Sequence, residues 1–181
     1  MKKYAVIVVD MVNDFVTGAL GGSPRIKSII EPIRDLCEKA RANGIPVIYA
    51  NDCHTPEVDK EFKVWGPHAV VGTWGAEVID ELKPQEGDII VPKKTYSAFY
   101  ETPLELILRE LGVDTVVITG WQADCCCRHT SADAFFRGFD IVVPRETTDT
   151  LTEEDRDRGL DYIKNIYGGT ICSLKDLPFW K

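Results

Sequence analysis

Two rhythms of hydrophobic and polar residues alternate along the chain. One is a short, near-continuous apolar run, as in residues 4–9, which marks a strand covered on both faces. The other carries apolar residues three and four apart, as in residues 26–42, and marks a helix lying on a sheet. Asn43-Gly44 ends that helix with a C-cap signal. The same alternation predicts further strands over 45–50, 88–92, 115–119, 141–143 and 170–174, and helices over 77–82, 103–111, 125–137 and 152–166. Gly138 closes the helix over 125–137, and Thr152-Glu153-Glu154-Asp155 gives the last helix a cap and an acidic first turn. Residues 52–74, with Pro56, Pro67 and several glycines, read as a long irregular segment. Strands alternating with helices imply right-handed crossovers. The expected fold is α/β: a three-layer α/β/α sandwich, Rossmann-like, on a mainly parallel six-stranded sheet, with residues 1–181 as one domain.

Composition narrows the partners. The net charge of -8 is the wrong sign for a surface built to neutralise phosphates, so nucleic acid and anionic membranes are not expected partners. No apolar run approaches the roughly 20 residues of a membrane span. The basic start, Met1-Lys2-Lys3, with the apolar run behind it imitates a signal peptide, but the run ends in a charged residue without a small-residue cleavage site. A cytoplasmic location is the expectation, and there cysteines stay reduced. The 6 cysteines agree. Cys125, Cys126 and Cys127 are consecutive, which suits neither a disulfide framework nor a paired-cysteine zinc site.

In a parallel sheet, ligands gather at the C-terminal ends of the strands. Asp10 ends the first predicted strand, Asp52 and His54 follow the second, Lys93 and Lys94 end the third, and residues 120–126 follow the fourth. The thiols there sit at the start of a predicted helix, where partial positive charge and free N–H groups favour both a thiolate and an oxyanion. Helical direction lets only one or two of the three thiols face the cleft, and spacing does not choose between them. Cys37, Cys53 and Cys172 read as small buried hydrophobes. Asp10 reads equally well as a base for the thiol or as a capping carboxylate. A lysine beside the thiol would favour its ionised form, and Lys93 and Lys94 are both candidates. Asp52 and His54 point the same way in extended chain, and His68 lies on the same long loop. Two histidines and a carboxylate can hold Zn²⁺, Fe²⁺ or Mn²⁺ with open positions. Among 3 histidines in the chain, the remaining one, His129, reads as structural. Phe15 and Trp65 fall in loops, where they could clamp a flat ring or form a small apolar cluster.

These residues fall into motifs. They are Val8-Val9-Asp10-Met11-Val12-Asn13-Asp14-Phe15, Asp52-Cys53-His54, Trp65-Gly66-Pro67-His68 with Gly72-Thr73-Trp74-Gly75-Ala76-Glu77, Lys93-Lys94-Thr95-Tyr96-Ser97-Ala98-Phe99, and Gly120 to Cys126 with Thr130, Asp133 and Ala134. Over nearly its whole length the chain resembles the cysteine hydrolases typified by nicotinamidase, N-carbamoylsarcosine amidohydrolase and isochorismatase. The resemblance implies a catalytic trio of Asp10, Lys93 and Cys126, with Lys93 preferred over Lys94 and Cys126 over its neighbours. It implies a cis peptide at Trp121-Gln122 and an oxyanion hole from the N–H groups of Gln122 and Cys126. It implies metal ligands Asp52, His54 and His68, and a ring clamp of Phe15 and Trp65. Tyr96 and Trp121 are expected to line the same substrate pocket. The cofactor expectation is one divalent metal, zinc first with iron or manganese as alternatives, and no organic cofactor. A homo-oligomer, dimer or tetramer, is implied as well.

The chain also departs from the family pattern. Ala123 stands for a usual threonine, Trp121 and Gln122 for smaller residues, and residues 55–60 lack the further histidine of some nicotinamidases. The implied activity is cleavage of a small-molecule amide C–N bond with ammonia release through a thioester, with nicotinamide the first substrate. A carbamoyl or ureido amidase is the alternative, followed by isochorismatase and a thiol redox protein.

Overall fold

The computed structural model describes residues 2–180. Strand β1 (Tyr4–Val9) runs through the middle of the molecule. It is followed by the single turn α1 (Asn13–Val16), then α2 (Pro24–Ser28) and α3 (Ile30–Ala42). Next come β2 (Val47–Asp52), the single turn α4 (Phe62–Trp65), β3 (Ile89–Lys93) and α5 (Leu104–Glu110). The second half is β4 (Thr115–Trp121), α6 (Cys126–Phe136), β5 (Asp140–Pro144), β6 (Thr148–Asp149), α7 (Glu153–Tyr167) and β7 (Thr170–Cys172). All ladders between these strands are parallel, in the order β3-β2-β1-β4-β5-β7, with the two-residue β6 pairing beside the end of β4.

Alternate residues of β1 feed two cores. Ala5, Ile7 and Val9 pack with Leu104, Leu108, Ala134, Leu160 and Ile163 on one face. Val6 and Val8 pack with Ile26, Ile33, Leu36 and Phe179 on the other. That is the expected three-layer sandwich, and burial on both faces is why β1 reads as an unbroken apolar run. The chain order steps outward from β1 to β3, then returns to the other side of β1 as β4. The crevice between the C-terminal ends of β1 and β4 is therefore the topological switch point. Among the described residues no helix is long and apolar enough to cross a membrane.

Several expectations need correction. The sheet has seven strands, because β6 is too short to carry a periodic signal. The helix expected over 26–42 is two helices: Ser23 accepts from the Arg25 N–H, Pro24 starts α2, and the chain bends at Ile29 before α3. Strand β2 lies two residues later than expected, which brings Asp52 into register with Lys93. The helix expected over 77–82 does not form. Two 3₁₀ turns, Trp74–Ala76 and Asp80–Leu82, flank an extended stretch. There Asn13 N–H donates to Glu77 O, Ile79 N–H donates to Met11 O, and Val12 bridges Val78. Tertiary pairing with the loop after β1 takes the backbone groups that a helix would have used.

Candidate active site

Burial, not exposure, organises the charged groups at the switch point. Asp10 follows β1 with a φ of 54°, in the left-handed region that aspartate tolerates better than most residues. Its Oδ1 accepts from the Asp52 N–H at 2.7 Å, and its Oδ2 lies 2.7 Å from Lys93 Nζ. Lys93 Nζ also lies 2.5 Å from Asp52 Oδ1 and donates to Thr95 O at 3.2 Å. All three side chains are buried. One ammonium therefore serves two carboxylates, and one negative charge is left over. Burial and the charge of Asp52 push Asp10 up to about 7, although Lys93 opposes them. For Asp52, burial works against ionisation, but the Lys93 charge, the nearby rings of His54 and His68 and the hydrogen bond from Lys93 win and hold it far below the usual carboxylate range. Burial also opposes the charge on Lys93, and the two carboxylates overcome that and raise it well above the ordinary lysine value. Lys94 points away: it is exposed, donates to Thr55 Oγ1 and lies 3.7 Å from Asp59 Oδ2.

The thiols separate by direction. Cys127 is sealed in the core between Thr119 O and Thr148 Oγ1, and burial pushes it up to about 12. Cys125 and Cys126 both face a small pocket. Cys126 starts α6, beside the charges of Lys93 and Asp10. The helix start and Lys93 predict an ionised thiol at Cys126, but its pairing with Cys125 and its burial raise it well above the ordinary cysteine value. Pairing with Cys126, together with His129, brings Cys125 down to about 6 against its own burial. Cys126 thus rests as a thiol, an arrangement that calls for a base. His129 donates from Nδ1 to Cys125 O at 2.8 Å and packs on Tyr96.

The turn before α6 contains a cis peptide at Trp121-Gln122. Cys125 and Cys127 N–H both donate to Gln122 O, passing over the Cys126 N–H. Ala123 N–H donates to Asp149 O, so β6 braces the turn. Two glycines make this packing possible. A Cβ at Gly120, which has φ +110°, would sit 2.0 Å from Val9 O, and one at Gly159 of α7 would sit 2.8 Å from Ala123 O.

Next to Lys93 lies a second cluster. Ligand atoms of Asp52, His54, Glu61 and His68 all fall within 4.8 Å of one another. His54 Nε2 is 3.5 Å from Asp52 Oδ2 and 3.8 Å from Glu61 Oε2, and His68 Nε2 is 3.8 Å from Asp52 Oδ2. His68 Nδ1 faces Gly66 O at 2.7 Å; a carbonyl only accepts, so that nitrogen carries a proton and, in the neutral ring, Nε2 keeps a free lone pair. Both ring nitrogens of His54 and Oε1 of Glu61 are buried without a hydrogen-bond partner. Each such orphan costs about 1–3 kcal/mol. A divalent cation would take up the inward Nε2 lone pairs and the carboxylate oxygens, and two imidazoles with two carboxylates are a donor set suited to zinc.

The pocket over both clusters has a volume of about 120 Å³. Phe15 and Trp65 line it, together with Tyr96, Trp121, Gln122 and Leu151. Trp65 Nε1 donates to Tyr96 OH at 3.2 Å across its rim, and Phe15 meets the His68 ring edge-on at 5.6 Å.

The isochorismatase domain pattern matches residues 4–176. The chain belongs to the isochorismatase family. The N-carbamoylsarcosine amidase of an Arthrobacter species is 32% identical over 153 residues, which cover 79% of this chain but only 58% of that relative. The crystal structure of N-carbamoylsarcosine amidase from Thermoplasma acidophilum superposes with a TM-score of 0.91 at 41% identity, over 97% of this chain and 99% of that one. Pyrazinamidase of Pyrococcus horikoshii, crystallised in complex with zinc, superposes with a TM-score of 0.87 at 32% identity, over 94% and 99% of the two chains.

In this isochorismatase-family hydrolase the structure brings Asp10, Lys93 and Cys126 to one end of the sheet, and Asp52, His54 and His68 beside them. Glu61 is the member of the second cluster that sequence reasoning missed. It lies in the irregular loop among Glu57 and Asp59, and no periodicity there tells an inward carboxylate from an outward one. The one available signal was the absence of a further histidine after Asp52-Cys53-His54, which leaves a ligand position open to a carboxylate.

Proposed function

We propose that this hydrolase is a cysteine-dependent amidase that releases ammonia from a small neutral amide, with nicotinamide as the first substrate. The observation that carries the substrate class is the pocket lining. It is small, has Phe15 and Trp65 as aromatic walls, and presents Asp52 and Glu61 but neither lysine nor arginine. Such a wall suits a flat uncharged ring and disfavours a carboxylate-bearing substrate such as isochorismate.

Asp10 takes the proton from Cys126 Sγ, and its raised affinity for protons suits that task. The sulfur attacks the amide carbonyl while Lys93 offsets the charge that passes between Asp10 and the thiolate. The N–H groups of Gln122 and Cys126 hold the oxyanion. The C–N bond breaks and ammonia leaves with the proton held by Asp10. Asp10 then takes a proton from water, the hydroxide attacks the thioester, the carboxylic acid departs, and Cys126 recovers its proton. Asp52, His54, Glu61 and His68 are the residues that would hold a metal, zinc by the donor set. When bound, it supplies a Lewis-acidic anchor for a ring nitrogen.

The second reading is an amidase for N-carbamoyl compounds. It is favoured by the 41% identity with a structure named for that activity and by the altered turn Trp121-Gln122-Ala123. Ammonia release measured side by side with nicotinamide and N-carbamoylsarcosine decides. Turnover of nicotinamide at least tenfold more efficient by kcat/KM supports the first reading. The reverse ratio overturns it.

A further inference from the structure

His54 presents Nε2 to Asp52 and Glu61, and its other nitrogen faces the opposite way, out of the four-residue cluster. There, Nδ1 lies 3.4 Å from Asp59 Oδ2. At that distance the nitrogen faces the carboxylate across a gap a few tenths of an ångström longer than a formed hydrogen bond. Asp59 is not a free surface carboxylate. Its side chain is 11% exposed, its Oδ2 accepts from the Thr55 N–H, and Lys94 Nζ stands 3.7 Å behind it. Lys94 is in turn held by Thr55 Oγ1. His68 is arranged in the same sense, with Gly66 O on Nδ1 and Nε2 turned toward Asp52. Both imidazoles of the cluster thus have an oxygen behind Nδ1 and direct Nε2 inward.

We infer that Asp59 is a positioning residue for the metal site: through His54 Nδ1–H it fixes the tautomer and ring orientation that aim Nε2 at the ion, with Lys94 anchoring the carboxylate. This rests on the reading of Asp52, His54, Glu61 and His68 as metal ligands. A carboxylate on the far nitrogen of a ligating histidine raises its basicity and costs about 10- to 100-fold in metal affinity when removed. It also gives the second of the two adjacent lysines a role that the trio does not: Lys93 bridges Asp10 and Asp52, and Lys94 serves the carboxylate behind the metal ligand.

The test is a zinc titration of the full chain, stripped of metal and measured in competition with a chromophoric chelator, alongside the melting temperature of the metal-free protein. Asp59→Ala is expected to weaken zinc binding about 10- to 100-fold. Asp59→Asn keeps an acceptor oxygen for Thr55 and loses only the charge, so it is expected to fall between Asp59→Ala and wild type and to melt, metal-free, as wild type does. Zinc binding as tight as wild type in both variants overturns the inference. Failure of the wild-type protein to bind zinc overturns the metal reading beneath it, and the two failures are told apart by the wild-type titration alone.

Discussion

Two clusters of buried polar groups meet at Lys93, and they are built on opposite terms. In the first, Asp10, Lys93 and Asp52 pair their charges through short contacts, on regular strand ends whose neighbours fix their positions, with Asp10 Oδ2 held by the Lys93 charge and not by a hydrogen bond. In the second, His54, Glu61 and His68 converge on Asp52 from an irregular loop and leave buried nitrogens and a carboxylate oxygen without partners. A charge-paired cluster is poised before any ligand arrives. An unsatisfied one asks for a cation to complete it. Asp52 belongs to both, with Oδ1 on Lys93 and Oδ2 toward the histidines. The charge balance of the first cluster and the candidate metal site are therefore not independent.

Substitutions break this comparison at different strengths. The largest effect is expected for Asp10→Asn, which removes the base but keeps the shape. The turnover rate falls by roughly 10²–10⁴-fold, measured as ammonia release, with zinc affinity changed far less. Lys93→Met comes next. It strands two buried carboxylates, so the protein loses about 3–5 kcal/mol of stability, read as a shift in the urea midpoint. An unchanged midpoint would mean that Asp10 and Asp52 are not held by a shared cation. The smallest effect is expected for Trp65→Ala, at the rim of the pocket and 41% exposed. Loss of ring contact worth about 0.5–1.5 kcal/mol raises KM for nicotinamide by roughly 2- to 12-fold and leaves kcat nearly as it was. A change confined to kcat would place the substrate elsewhere.

The first cluster was the more legible in the sequence, for a physical reason. Regular strands put chemistry at countable positions. Asp10 had to emerge at the end of β1, whereas only the family resemblance preferred Lys93 to Lys94; in the structure Lys93 shares the inward face with Val91, and Lys94 follows the strand and turns out. The cysteine triplet was harder. All three sit at one helix start, and only packing shows Cys127 against the core and Cys126 at the pocket. The second cluster was half legible. Asp52 and His54 continue a strand, and a Trp-Gly-Pro-His motif marks His68, but Glu61 and Asp59 lie where no period constrains direction. The helix wrongly expected over 77–82 failed for the same reason, since its backbone is claimed by residues more than sixty positions earlier.

The central claim is that Cys126, resting as a thiol beside Asp10, carries the acyl group. The direct measurement is rapid acid quench of the enzyme during turnover of nicotinamide, followed by peptide mass spectrometry across residues 120–137. The account predicts a nicotinoyl thioester on Cys126, absent in Cys126→Ala, which folds but releases no ammonia. An acyl group on Cys125, or sustained ammonia release by Cys126→Ala, would contradict it.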